Sequence, residues 1–163
     1  MDIVVADSAV LIDLERAGLE DIIVGTGHRW VVPDLLYAME LEASTGPDWR
    51  RRGLHVVELS PEEVTAAQQH YQQHRPLSLV DSFAFSLCVE RRWILVTRGA
   101  TLHRLAVDHS VDCHGMLWVI KLAHTAGFDV VVLEQGVRQL LAQPRCRLPR
   151  RETDALLRQL LGS

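Results

Sequence analysis

Short apolar runs alternate with amphipathic stretches from one end of the chain to the other. Ile3-Val4-Val5-Ala6 is β-branched and apolar on both parities, as is Trp30-Val31-Val32. Such runs read as strands of a parallel sheet buried on both faces. His55-Val56-Val57-Glu58-Leu59 and Trp93-Ile94-Leu95-Val96-Thr97 add two more strands, the latter the clearest in the chain, and Val111-Asp112-Cys113 an edge strand. Between them the spacing turns helical. Ala9, Val10, Ile12, Asp13 and Leu14 begin a helix that Gly18 stops, and a second helical piece covers residues 19–24. Pro33 suits the first turn of a helix over residues 34–43, with Leu35, Leu36, Met39 and Ala43 facing in and residues 44–47 breaking it. Ser60 and Glu63 form a capping-box pattern at the next helix, whose outer half is the polar run 68–74. Further helices fall at 78–90, with Phe83, Leu87 and Cys88 inward, and at 115–124, 134–142 and 150–161. This alternation predicts an α/β fold, a central parallel sheet with helices on both faces and additional C-terminal helices.

Length and composition agree with that architecture. The 163 residues are 48% hydrophobic and 23% charged, which fits one folded domain and argues against disorder. A net charge of −4 excludes binding of nucleic acid by overall charge, so any such contact needs local cations, a metal ion or a basic partner. Cys88, Cys113 and Cys146 lack metal or redox spacing and read as thiols of a reducing compartment. The start of the chain lacks the pattern of a signal peptide, and no apolar run spans a membrane, so a cytoplasmic location is expected.

In a parallel sheet, chemistry collects beyond the carboxyl ends of the strands. Asp7 stands one step past the first strand, Glu40 on the helix after the second, and Asp81 in the first turn of the helix before the Trp93 strand. Three converging carboxylates suit a hard divalent cation such as Mg²⁺ or Mn²⁺. Each has a plainer reading. Asp7 and Ser8 can cap the first helix, and Ser78-x-x-Asp81 is itself a capping box. Glu42 competes with Glu40, because their separation along the helix lets only one face the crevice.

Ala6-Asp7-Ser8-Ala9-Val10-Leu11-Ile12-Asp13-Leu14 resembles the opening of PIN-domain proteins. Val32-Pro33-Asp34-Leu35-Leu36 with Glu40-Leu41 is similar to the second acidic position of that family. Leu77-Ser78-Leu79-Val80-Asp81-Ser82-Phe83-Ala84 is similar to the third, and His114-Gly115-Met116-Leu117-Trp118 resembles a helix start in one branch. The ordered match covers residues 3–125, leaving 130–163 as a helical extension of the same domain. The resemblance implies a metal-dependent ribonuclease, often the VapC-like toxin of a toxin–antitoxin pair and often a homodimer. Asp7, Glu40 and Asp81 are then metal ligands and catalytic residues. Ser8, Arg98, His103 and Arg104 are candidate substrate contacts at the same rim.

The family's fourth acid is missing, since Thr97-Arg98-Gly99 stands where Thr-Gly-Asp is usual. That departure keeps a second expectation open, a PIN-fold protein that binds RNA or a protein partner without cleaving. A phosphoacceptor domain is set aside, because Leu59-Ser60 and Cys113-His114 occupy the places of its Asp and Lys. His70 and His74 stand at i, i+4 on what reads as a solvated helix face. Arg50-Arg51-Arg52 and Arg91-Arg92 read as surface charge or phosphate contacts, and the tryptophans as core, with base stacking on Trp30 or Trp118 a remote option. Ile22, Ile23 and Val24 are candidates for a dimer interface.

Overall fold

The computed structural model describes residues 2–144 and 148–162. Five strands, β1 (Ile3–Ala6), β2 (Arg29–Pro33), β3 (His55–Val57), β4 (Ile94–Val96) and β5 (Cys113–His114), form one parallel sheet in the order β3-β2-β1-β4-β5. The alternation along the strands explains why they read as apolar on both parities. Val4, Ala6, Trp30, Val32 and Val96 enter one core, while Val5, Val31 and Leu95 enter the other. All eight are at most 1% exposed, so the sheet is buried between two helical layers.

The first core lies under α1 (Ser8–Ala17), α2 (Ile22–Gly25), α4 (Gly46–Arg52), α8 (Met116–Thr125), α9 (Val130–Leu141) and α10 (Arg150–Leu161). The second lies under α5 (Pro61–Gln73), α6 (Leu79–Arg91) and α7 (Ala100–Asp108). No helix among the described residues is long and apolar enough to cross a membrane.

Three expectations need correction. The helix after β2 is not a regular one over 34–43. It begins as α3 (Asp34–Leu36) and continues as a π-helical turn, Tyr37–Leu41, closed by the Glu42 amide donating to the Tyr37 carbonyl at 2.8 Å. The wider turn moves Leu36, Tyr37 and Leu41 inward and leaves Leu35 half-buried, with Met39 and Ala43 outside. The break at 44–47 is short, because Pro47 near the start of α4 begins a new helix that buries Trp49. Gly46 is needed there: a Cβ would meet the Tyr37 ring at 2.6 Å and the Leu41 carbonyl oxygen at 2.7 Å. Ile22 and Ile23 belong to the core and offer no interface; of that trio only Val24 is exposed.

Elsewhere the elements fall within a few residues of their expected places. Phe83 is half-buried, while Leu87 and Cys88 are fully inside. Cys88 and Cys113 are free thiols; Cys146 lies outside the described residues.

Candidate active site

With every strand parallel, all the carboxyl ends meet at one edge. The chain steps from β1 to β2 on one side and returns to β4 on the other, which makes the gap beyond β1 and β4 the topological switch point. Asp7 follows β1, and Thr97 and Arg98 follow β4.

Asp7 is both a helix cap and the floor of this crevice. One carboxylate oxygen accepts from the Val10 amide at 2.8 Å, closing the first turn of α1. The other accepts from the Thr97 hydroxyl and from the Arg98 amide at 3.3 Å. Burial raises the Asp7 pKa above the usual carboxylate range, while these three donors and the Arg98 charge oppose the rise.

Glu40 sits on the π-helical turn, exposed, and accepts a hydrogen bond from the Ser8 hydroxyl. Glu42 takes no part in that contact and lies on the outside. Asp81 lies in the first turn of α6. Ser78 caps that helix, its oxygen accepting from the Asp81 amide at 3.0 Å. The reciprocal half of a capping box, carboxylate to the Ser78 amide, is not made, so the Asp81 carboxylate is not consumed as a cap. Burial, then the negative charges of Asp7 and, more weakly, Glu40, push its pKa up to about 6, against a smaller pull from the Ser78 hydroxyl. Asp81 is thus repelled by both Asp7 and Glu40. The donor chemistry of the three carboxylates suits a hard divalent cation. Their spacing is not that of a finished metal cage: among the described residues, no three His, Cys, Asp or Glu side chains form a group able to hold a metal ion as they stand.

Gly99 occupies the place expected for a fourth acid, and Arg98 stands beside it. The Arg98 amide caps Asp7, but its guanidinium turns away and pairs with Asp13 at 2.8 Å. Asp13 is 5% exposed and was not singled out from the sequence as a site residue. Its signal was present, because it falls on the stripe Val10, Asp13, Leu14, Ala17 that α1 buries. Gly99 begins α7 with its amide donating to the Thr97 hydroxyl at 3.0 Å, and no side chain caps that helix.

The remaining candidates scatter. His103 contacts the Cys113 thiol at 3.3 Å, and burial pushes that thiol up to about 12, with Asp7 and Asp112 adding to the effect. Arg104 is exposed on α7 and makes no ion pair among the described residues. His70 is not solvated: its ring packs edge-on against Phe85 and His109, and burial lowers its pKa, followed by the nearby His109 and His74. Trp30 is wholly buried and unavailable for base stacking, whereas Trp118 stacks on His114 at 4.4 Å. Arg51, Arg52 and Arg91 pair with Asp48, Asp21 and Glu63, and Arg50 lies over the Tyr37 ring.

Sheet order and flanking helices define an α/β protein, and comparison with solved structures shows its fold to be PIN-like. A similar solved structure is that of the PilT N-terminus domain protein SSO1118 from the hyperthermophilic archaeon Sulfolobus solfataricus P2. The TM-score is 0.53 and the identity 16%, over 78% of this chain and 95% of that one. Neither a scan of protein-family models nor a search of curated proteins returned a match.

Proposed function

We propose that the chain is a divalent-cation-dependent RNA endonuclease of the PIN type, with Asp7, Glu40 and Asp81 as the residues that would hold Mg²⁺ or Mn²⁺. The observation that supports the reading is that buried Asp81 feels the negative charges of both Asp7 and Glu40, while the nearby Arg98 guanidinium is already engaged by Asp13. A buried carboxylate beside like charges is costly to ionise, and a bound cation offsets that cost. When bound, such an ion supplies charge neutralisation at a phosphodiester and a more acidic water. The chain's own part is to hold Asp7 through Val10, Thr97 and Arg98, and Glu40 through Ser8. Ser8, Arg98, His103 and Arg104 are the proposed RNA contacts, local cations being required by the net charge of −4. Within this reading the protein is a cytoplasmic toxin, paired with an antitoxin and active as a homodimer. A small upstream reading frame for a basic DNA-binding protein, and sedimentation as a dimer, test those two points.

A second reading has its own observation. Arg98 and Gly99 replace the fourth acid, and the carboxylates do not form a ready-made metal cage. This favours a PIN-fold protein that binds RNA or a protein partner without cleaving. Calorimetric titration of Mn²⁺ decides between them, with Asp7→Asn and Asp81→Asn as controls. Saturable binding lost in both variants supports the nuclease. No binding at millimolar Mn²⁺ removes it and leaves the non-catalytic protein.

A further inference from the structure

A cavity of about 510 Å³ lies beside the carboxylate crevice, among α1, the loop after β4, the start of α8 and the ends of α9 and α10 that face each other. Thr97 and Arg98 line both places: each donates to Asp7, and each also borders the cavity. Its walls are largely apolar, from Met116, Leu140 and Leu148, while its charged lining is Arg16, Arg98 and Asp13. Two cations against one carboxylate leave a net positive charge in a chain that is otherwise acidic. Among the described residues the guanidinium of Arg98 makes one hydrogen bond, to Asp13, which leaves further N–H groups for a ligand. Gly115 adds to this. It starts the ten-residue α8 without a side-chain cap, and it lines the cavity with Met116 and Leu117, so the first-turn amides of α8 bring a second source of positive potential.

The size falls in the range of small-molecule pockets, and the chemistry is amphipathic: apolar walls together with cations and amides. An apolar peptide would leave the cations unanswered, and a bare anion would leave the walls unused. We infer that this cavity holds one nucleotide of an RNA strand next to the scissile phosphate, its base among the apolar walls and its phosphate against Arg98, Arg16 and the start of α8. The inference deepens the proposed function and rests on it for the identity of the strand. Binding in the cavity itself needs no metal.

The test is therefore run in EDTA, where failure of the carboxylates to hold a cation has no influence. The four ribonucleoside 5′-monophosphates are titrated into the full chain by calorimetry, with inorganic phosphate as comparison. Saturable binding of at least one nucleotide is expected, at least tenfold tighter than phosphate. Arg16→Glu, an exposed position that leaves the core alone, should weaken it about tenfold, and Leu148→Trp, which fills the cavity, should abolish it. Absence of saturable nucleotide binding overturns the inference. So does equal affinity for phosphate, which would make the walls irrelevant, or binding unchanged by both variants, which would place the nucleotide elsewhere.

Discussion

Glu63 and Asp81 are acids near the starts of adjacent helices, each three residues past a serine cap, and their environments drive them in opposite directions. Glu63 completes the capping box with Ser60 and takes both oxygens to Arg91, whose Nε and a terminal nitrogen each donate at 2.7 Å. Arg91 foremost holds the Glu63 pKa down at about 2. Asp81 has no such cation, and burial together with Asp7 and Glu40 raises it to about 6. The fold thus neutralises one acid internally and leaves the other uncompensated at the sheet edge. Glu63, which serves the scaffold, is satisfied by Arg91, whereas Asp81 at the switch point has two like charges beside it and no cation of its own among the described residues.

The largest effect expected from breaking this contrast is at Glu63. Glu63→Ala removes the box and strands Arg91 beside Trp93, at a cost of about 3 kcal/mol. For a chain of this length that is roughly a 6–12 °C fall in Tm. Because the folded pKa is depressed, the contribution is complete above about pH 4.5 and is lost as pH falls towards 2. Thermal unfolding of wild type and variant should therefore converge in acid. Equal melting temperatures at pH 7 would mean the pair is only a surface contact.

Asp81 should behave the other way. Its folded pKa is raised, so the folded state keeps the proton longer and loses stability as pH rises from about 4 through about 6. Asp81→Asn is expected to stabilise the protein in EDTA at pH 7.5 by about 1 kcal/mol, discounted for partial solvent access, with the gain vanishing below about pH 4. Millimolar Mn²⁺ should reverse the order by stabilising wild type alone. Denaturant unfolding at the two pH values, with and without Mn²⁺, measures both. An Asn variant less stable than wild type in EDTA would show that Asp81 is held by the fold after all.

The contrast also explains what could be read from the residues alone. Strands such as Ile3–Ala6 and, past the exposed Arg29, Arg29–Pro33 were legible because burial on both faces writes an apolar residue at each buried position. The Ser60–Glu63 box was legible because both partners are three residues apart. The π-helical turn at Tyr37–Leu41 was not, since its residue spacing also fits an ordinary helix, and the close approach of Gly46 to Tyr37 and Leu41 shows only in the structure. Long-range pairing hid the rest. Nothing local announces that Arg91 serves Glu63, 28 residues away, or that Arg98 serves Asp13, 85 residues away. The three carboxylates could be named as candidates through the ordered resemblance, but the absence of a ready-made cage is a matter of side-chain spacing that no sequence pattern carries.

The smallest change in stability, and the most informative about the site, is expected from Gly99→Asp. The backbone there has φ −79°, which any residue adopts, and a Cβ would meet only the Thr97 hydroxyl, at 3.5 Å. Gly99 stands at the N-cap of α7, where no side chain satisfies the first-turn amides. An aspartate there gains a few tenths of a kcal/mol as a cap. Repulsion from Asp7, which shares Thr97 with it, works in the opposite direction. In EDTA the two should nearly cancel, leaving Tm within about 2 °C of wild type. Adding Mn²⁺ separates them, because a fourth acid strengthens a cation site and is indifferent to a capped helix. A calorimetric affinity at least tenfold higher than wild type would mean that Gly99 weakens a working site. An unchanged affinity would mean that Arg98, turned to Asp13, already marks an edge organised for something other than a metal.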